Sequence, residues 1–278
     1  MTLTFLDYPR PHAFAHRGGS AQNPENSWAA FEHAVKLGYA YLETDARATN
    51  DGVLLAFHDP DLKRVTGLPG ELATMPYRKI ASARVHGKER IPLIEDLLGA
   101  WPELRFNIDV KHVTSVRPLA DVLKRTAAWD RVCVTSFSGT RLRMARAALD
   151  RPVCMAVTPK ISAALRYARW SSAAMAARIA RSGYQCAQIP GWIANPSFIR
   201  HAKEVGLHIH VWTLNTKADM DRVLEMGADG IMTDDIILLR ELLTERGQWY
   251  PRLRRVPAPR SLCGALEPGL KHPAYRGG

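Results

Sequence analysis

Nothing in this sequence approaches the run of about eighteen apolar residues that a membrane-crossing helix needs. The opening MTLTFLDYPRPH also lacks the basic-then-apolar order of a secretory signal. Both absences point to a soluble, cytoplasmic protein. Cysteine is scarce, four in 278 residues, and Cys133, Cys154, Cys186 and Cys263 never form a CxxC pair. Three of them lie in apolar, strand-like runs, so buried free thiols are expected rather than disulfides or a metal site. Basic residues are not interleaved with aromatics and zinc-finger spacing is missing, which removes nucleic acid as the leading partner. No short-period internal repeat breaks the chain into a solenoid.

The sequence does carry a net charge of +11, which favours anionic partners such as phosphate-bearing substrates or an acidic membrane surface. Much of that charge lies in the helix-like segment Arg141 to Arg146 and in the region Arg252 to Arg276. At 46% hydrophobic content the chain can bury the core of one large domain.

Chemistry concentrates in AYLETDARATNDGVLLAFHD, residues 40 to 59, and in the preceding His16-Arg17-Gly18-Gly19. Alternation along a strand turns Glu43 and Asp45 to one face, a pair of carboxylates at one site. Thr49-Asn50-Asp51-Gly52 is a hairpin signal. If Thr49 pairs with Gly52, His58 falls opposite Glu43; a three-residue loop puts it opposite Thr44. Either register returns the histidine toward the carboxylates. Apolar neighbours on both arms imply that these charges are delivered from buried strands, where they need a cation.

These residues also carry a resemblance. HRGG, NPENSWAAF and ETDARATNDGVLLAFHDPDLKRVTG, followed by NIDVKH, SF at Ser136-Phe137, VWTLN and GADGIMTD, resemble the glycerophosphodiester phosphodiesterase family over roughly residues 11 to 245. The chain departs from the family pattern at Asp109, where Glu is common.

Strand-like runs near residues 13 and 40, at 104 to 110, 132 to 135, 153 to 157, 185 to 189, 208 to 213 and 230 to 233 alternate with helical sequence. The expected fold is α/β, a (β/α)8 TIM barrel over residues 11 to 247 with a small insertion, about 60 to 103, after the hairpin. That insertion reads either as a cover for the core or as a substrate lid. Residues 248 to 278 read as a basic Pro/Gly-rich tail, with weak contact to anionic membrane as one use. In such a barrel His16, Glu43, Asp45, Asp109, Lys111, Ser136, Gln188, Trp212 and Asp234 fall at or beyond strand ends, where active sites form.

Three carboxylates, Glu43, Asp45 and Asp109, suit Mg²⁺ or Ca²⁺ better than zinc, although an Asp109–Lys111 salt bridge is the plainer account of that pair. Arg17 and Lys111 would stabilise phosphate charge. Glu25 either orients Arg17 or caps the next helix, and Trp212 either packs on substrate or completes the barrel mouth. The resemblance implies that His16 and His58 are the general acid and base, and that the small-molecule substrate is a glycerophosphodiester cleaved to sn-glycerol 3-phosphate and an alcohol. The alternatives are a lysophospholipase D or a cyclic-phosphate-forming phospholipid phosphodiesterase, and, with these residues intact, less readily a non-catalytic phosphate-binding barrel.

Overall fold

The computed structural model describes residues 5–167 and 181–252, together with residues 177 and 179. The eight expected barrel strands are β1 (His12–Ala15), β2 (Tyr41–Ala48), β6 (Arg105–Val110), β7 (Val132–Thr135), β8 (Cys154–Met155), β9 (Cys186–Pro190), β10 (His208–Trp212) and β11 (Gly230–Thr233). They pair in parallel in the order β8, β7, β6, β2, β1, β11, β10, β9. Ends β8 and β9 meet through one parallel bridge, Ala156 to Cys186, so the cylinder closes at a thin seam. The fold is therefore a (β/α)8 barrel.

Alternation along the short strands builds two cores. One side of each strand packs against the helices in a continuous layer that includes Phe31, Leu42, Phe106, Ile108, Val134, Ile209 and Ile231. The other side fills the cylinder with Phe14, Tyr41, Cys133, Cys154, Ala156, Cys186 and Met232, the packed interior this fold requires. Local sequence starts the helices. Ser27 accepts from Ala30 N at the head of Trp28–Leu37, Asn195 precedes Pro196 at the head of Pro196–Glu204, and Asp235 accepts from Leu238 N ahead of Ile236–Glu245.

The hairpin has the longer of the two expected loops. Strand β3 (Leu54–Ala56) pairs antiparallel with β2 as Ala46 to Ala56, Arg47 to Leu55 and Ala48 to Leu54. Thr49 decides the register, since its N donates to Val53 O at 3.0 Å and its Oγ1 accepts from Val53 N at 3.0 Å. The insertion follows, with the short strands β4 (Arg84–Val85) and β5 (Glu89–Arg90) and the helix Ile94–Ala100. It has its own apolar cluster of Leu62, Val65, Leu72, Ile80, Val85 and Ile91 against Leu55 and Phe57. At the other end Trp249 meets Tyr39 at 5.1 Å and Arg252 pairs with Glu103 at 2.6 Å. The rest of the basic tail, 253 to 278, lies outside the described residues, and with it the membrane-contact expectation and Cys263. Among the described residues, no helix is long and apolar enough to cross a membrane.

Candidate active site

At the C-terminal end of β1 the backbone turns through His16–Gly18, with Arg17 at φ 50° and Gly18 at φ 83°. A Cβ on Gly18 would lie 2.8 Å from Ala30 Cβ and 2.9 Å from Phe31 N, so only glycine lets this turn sit on the first helix. The turn aims Arg17 N at Glu43, donating to Oε2 at 2.9 Å. The Arg17 guanidinium reaches Glu25 Oε1 at 3.2 Å and lies 3.1 Å from Asp45 Oδ2. Glu25 thus pairs with Arg17 rather than capping the helix, whose cap is Ser27.

Glu43 and Asp45 share the inward face of β2, and Asp109 is the register partner of Asp45 on β6. Lys111 Nζ bridges the two aspartates, 2.8 Å from Asp45 Oδ1 and 2.7 Å from Asp109 Oδ2. The ion pair expected between Asp109 and Lys111 exists, and Lys111 also reaches Asp45. All three carboxylates are buried, at 4%, 1% and 5% exposure, against two cations. Burial and the neighbouring cations pull their titration in opposite directions. Burial, reinforced by Asp45, pushes Glu43 up to about 7, although His16 opposes the shift. Burial raises Asp109 as well, whereas Lys111 and Arg17 outweigh burial at Asp45 and lower it.

This donor set fits a hard, oxygen-seeking divalent cation. Asp109 Oδ1 is buried without a hydrogen-bond partner among the described residues, and Glu43 and Asp109 both carry raised pKa values that such a cation would relieve.

The two histidines are each held at Nδ1 by an aspartate. His16 Nδ1 bonds Asp234 Oδ1 at 2.7 Å, and Ser20 Oγ and Asn215 Nδ2 fix that carboxylate at 2.6 and 2.8 Å. His16 Nε2 lies 3.8 Å from Glu43 Oε2. Burial disfavours the imidazolium, but Glu43 and then Asp234 outweigh it and raise the His16 pKa. His58 Nδ1 bonds Asp59 Oδ1 at 2.7 Å, Arg64 holds the other Asp59 oxygen, and Arg47 Nε anchors the His58 carbonyl at 2.7 Å. Arg64 also grips Glu25 with two bonds of 2.6 and 2.9 Å, so one arginine ties the His58 aspartate to the carboxylate paired with Arg17.

Three supporting residues carried no assigned role in the sequence reading. Asn26, at φ 52°, donates to Asp45 Oδ2 at 2.9 Å and accepts from Thr44 Oγ1 at 2.7 Å. Asp234 was marked only by its strand-end position. Arg141 stands out in the sequence only as part of a basic helix-like segment, yet its guanidinium bonds Ser136 Oγ at 2.7 Å and the Lys111 carbonyl, anchoring the turn that carries Lys111. Its distance in sequence hid it. Gln188 is partly exposed midway along β9 and is paired with Asn107 through bonds of 2.7 and 3.2 Å. Trp212 is partly exposed and packs edge-on against Phe137 at 5.5 Å, whose ring is 5.7 Å from Lys111 Nζ.

The model of the glycerophosphoryl diester phosphodiesterase family matches residues 16–238. The chain belongs to this family. Among relatives of this phosphodiesterase family member, a probable glycerophosphodiester phosphodiesterase 2 of Mycobacterium tuberculosis is 38% identical over 255 residues, 89% of this chain and 96% of that protein. A human lysophospholipase D is 24% identical over 82% of this chain and 85% of its own length. A solved phosphodiesterase of Oleispira antarctica, in complex with the product sn-glycerol-3-phosphate, superposes with a TM-score of 0.72 at 20% identity, covering 84% of this chain and 97% of that one. A glycerophosphodiester phosphodiesterase of Agrobacterium tumefaciens gives 0.72 at 21% identity, covering 84% and 98%.

Proposed function

We propose that this phosphodiesterase hydrolyses glycerophosphodiesters to sn-glycerol 3-phosphate and an alcohol, in a divalent-metal-dependent reaction with His16 and His58 as the proton-transfer pair. The observation that carries the reading is the arrangement of two aspartate-held histidines around one cluster of buried carboxylates, arginine and lysine. A related phosphodiesterase solved with sn-glycerol-3-phosphate supports the choice of product.

Glu43, Asp45 and Asp109 would hold Mg²⁺ or Ca²⁺, which when bound supplies positive charge to a non-bridging phosphate oxygen. Arg17 and Lys111 add charge and hydrogen-bond donors where negative charge builds on phosphorus. Asp234 keeps a proton on His16 Nδ1 and, with Glu43, favours the imidazolium, so His16 enters the reaction as the acid and donates from Nε2 to the leaving oxygen. Asp59 holds His58 Nδ1–H, which leaves Nε2 to take the proton of the attacking oxygen.

The test is release of glycerol 3-phosphate from a panel of glycerophosphodiesters in Mg²⁺, Ca²⁺ or chelator. Release that chelator abolishes and one of the two metals restores is expected; release at full rate in chelator would remove the metal from the account.

A specific observation favours a second substrate class. Phe137 is 58% exposed and Trp192 is 81% exposed, and both follow strands whose C-terminal ends form the mouth. Apolar side chains at that rim suit the acyl chain of a lysophospholipid, and one similar protein is named a lysophospholipase D. A higher kcat/KM on lysophosphatidylcholine than on glycerophosphocholine would support this reading.

A further inference from the structure

Inside the barrel, Cys133, Cys154 and Cys186 come from three consecutive strands, β7, β8 and β9, and all three side chains are fully buried. The sequence leads to an expectation of buried free thiols rather than disulfides or a metal site; the three thiols are free and buried, and their sulfurs all lie within 4.8 Å of one another. Cys133 Sγ and Cys186 Sγ are 3.7 Å apart. A tetrahedral ion with metal–sulfur bonds of about 2.3 Å holds its sulfurs about 3.8 Å apart, whereas a disulfide needs about 2 Å. The pair is therefore already at the spacing of two thiolates on one ion.

The next strand brings an imidazole beside Cys186, outside the 4.8 Å that gathers the three sulfurs. His210, on β10, is fully buried beside Cys186, and its Nδ1 has no hydrogen-bond partner among the described residues. Its protonation follows from its neighbours. His12 Nε2 bonds the Tyr8 carbonyl at 3.1 Å, so that nitrogen carries the hydrogen. Burial, with His210 next, pushes the His12 pKa down to about 3, so His12 is neutral and its Nδ1 is an acceptor. The 3.3 Å contact from His12 Nδ1 to His210 Nε2 then requires the hydrogen on His210 Nε2. His210 Nδ1 is then the ring nitrogen left without a partner among the described residues. A metal-bound imidazole is fixed in the same way, by a partner on its other nitrogen.

Gln188 completes the surroundings. Its Nε2 lies 4.0 Å from both Cys133 Sγ and Cys186 Sγ, a donor placed where thiolate charge would lie.

We propose that Cys133, Cys154 and Cys186 hold a thiophilic cation of the zinc class, which on binding draws in His210 as its fourth ligand, at a site distinct from the oxygen-lined cluster of Glu43, Asp45 and Asp109. The four ligands come from β7, β8, β9 and β10, and so they span the seam that the main chain closes with a single bridge. Binding releases thiol protons and joins those strands, which makes the ion a structural clamp on the barrel. Because the donors are buried, the ion is captured as the chain folds.

The experiment uses the full chain carrying Glu43→Gln, so that the oxygen-lined cluster does not dominate binding, refolded under reducing conditions with Co²⁺ as probe. One equivalent of cobalt with a thiolate-to-metal charge-transfer band, displaced by Zn²⁺ and accompanied by a rise in melting temperature, is expected. Cys154→Ser and Cys186→Ser should each abolish the band, and His210→Gln should weaken binding at least tenfold. If those variants do not fold, native mass spectrometry of the unmodified chain produced in zinc-supplemented medium decides, with one zinc per chain retained through chelator dialysis as the expected result. Cobalt binding without a thiolate band, a chain that retains no zinc, or a Cys133–Cys186 disulfide in its place would each overturn the proposal.

Discussion

Asn26 is bonded to Asp45: its side-chain amide donates to Oδ2 at 2.9 Å, from a backbone held at φ 52°. Because Thr44 Oγ1 donates to the other end of the same amide, Asn26 fixes the backbone beside Asp45 as well as its carboxylate. Asparagine is among the residues that tolerate this left-handed conformation. Asn26→Ala leaves two buried polar groups short of a partner and should cost about 1–3 kcal/mol of stability. Denaturant unfolding measures that cost, and kcat/KM should fall at least tenfold as Asp45 loses its orientation. Wild-type stability and activity in this variant would make the contact incidental.

Asp234, after Glu43, favours the charged form of His16, and its removal should appear in the pH profile. The His16 pKa is raised in the folded chain, so the ion pair stabilises the protein below the unfolded histidine value and that stabilisation is lost as pH rises through the folded value. Activity that needs the imidazolium falls across the same range. Asp234→Asn should shift the alkaline limb of kcat/KM to lower pH, and a profile with an unmoved limb would contradict the assignment of His16 as the acid.

Glu43 behaves in the opposite sense to an ordinary paired carboxylate. Its pKa is raised to about 7 by burial, so the folded chain holds a proton that the unfolded chain releases. In chelator, stability should therefore decline as pH rises from the ordinary carboxyl range toward about 7. Glu43→Gln should flatten that decline while abolishing activity, and added Mg²⁺ or Ca²⁺ should stabilise the wild type but not the variant. Thermal unfolding at several pH values gives both comparisons.

Gly18 and Gly52 share a positive φ, 83° and 82°, but differ in what surrounds them. An added Cβ at Gly52 meets nothing nearer than Pro118 at 4.0 Å, whereas at Gly18 it meets Ala30 at 2.8 Å. Gly52→Ala should carry only the conformational cost of about 1 kcal/mol and leave kcat/KM unchanged. Gly18→Ala should cost more and reduce kcat/KM, because the turn that aims Arg17 N at Glu43 must shift. Equal effects of the two substitutions would place the constraint in the backbone angle alone.

Much of this was legible from local sequence because it depends on local rules. The strand period put Glu43 with Asp45 and Asp109 with Lys111, and Asn50-Asp51-Gly52 gave the turn between β2 and β3. Register was the point left open, and it rested on one hydroxyl, Thr49 Oγ1, bonding Val53 N. The support around the site was less visible because distant segments supply it: Arg64 reaches Glu25, and Arg141 reaches the Lys111 carbonyl. The three cysteines were unreadable as a group for the same reason, since their spacing follows the strand-helix repeat and only barrel closure brings them together.

The proton-transfer pair is the central claim, and leaving-group dependence tests it most directly. Kinetics of His16→Gln and His58→Gln should be compared on a glycerophosphodiester of choline and on one of p-nitrophenol, whose anion leaves without help. Both variants should lose about 10²- to 10⁴-fold on the choline ester. His16→Gln should recover most of its loss on the nitrophenyl ester and His58→Gln should not. An equal loss for His16→Gln on both esters, or full activity in either variant, would contradict the account.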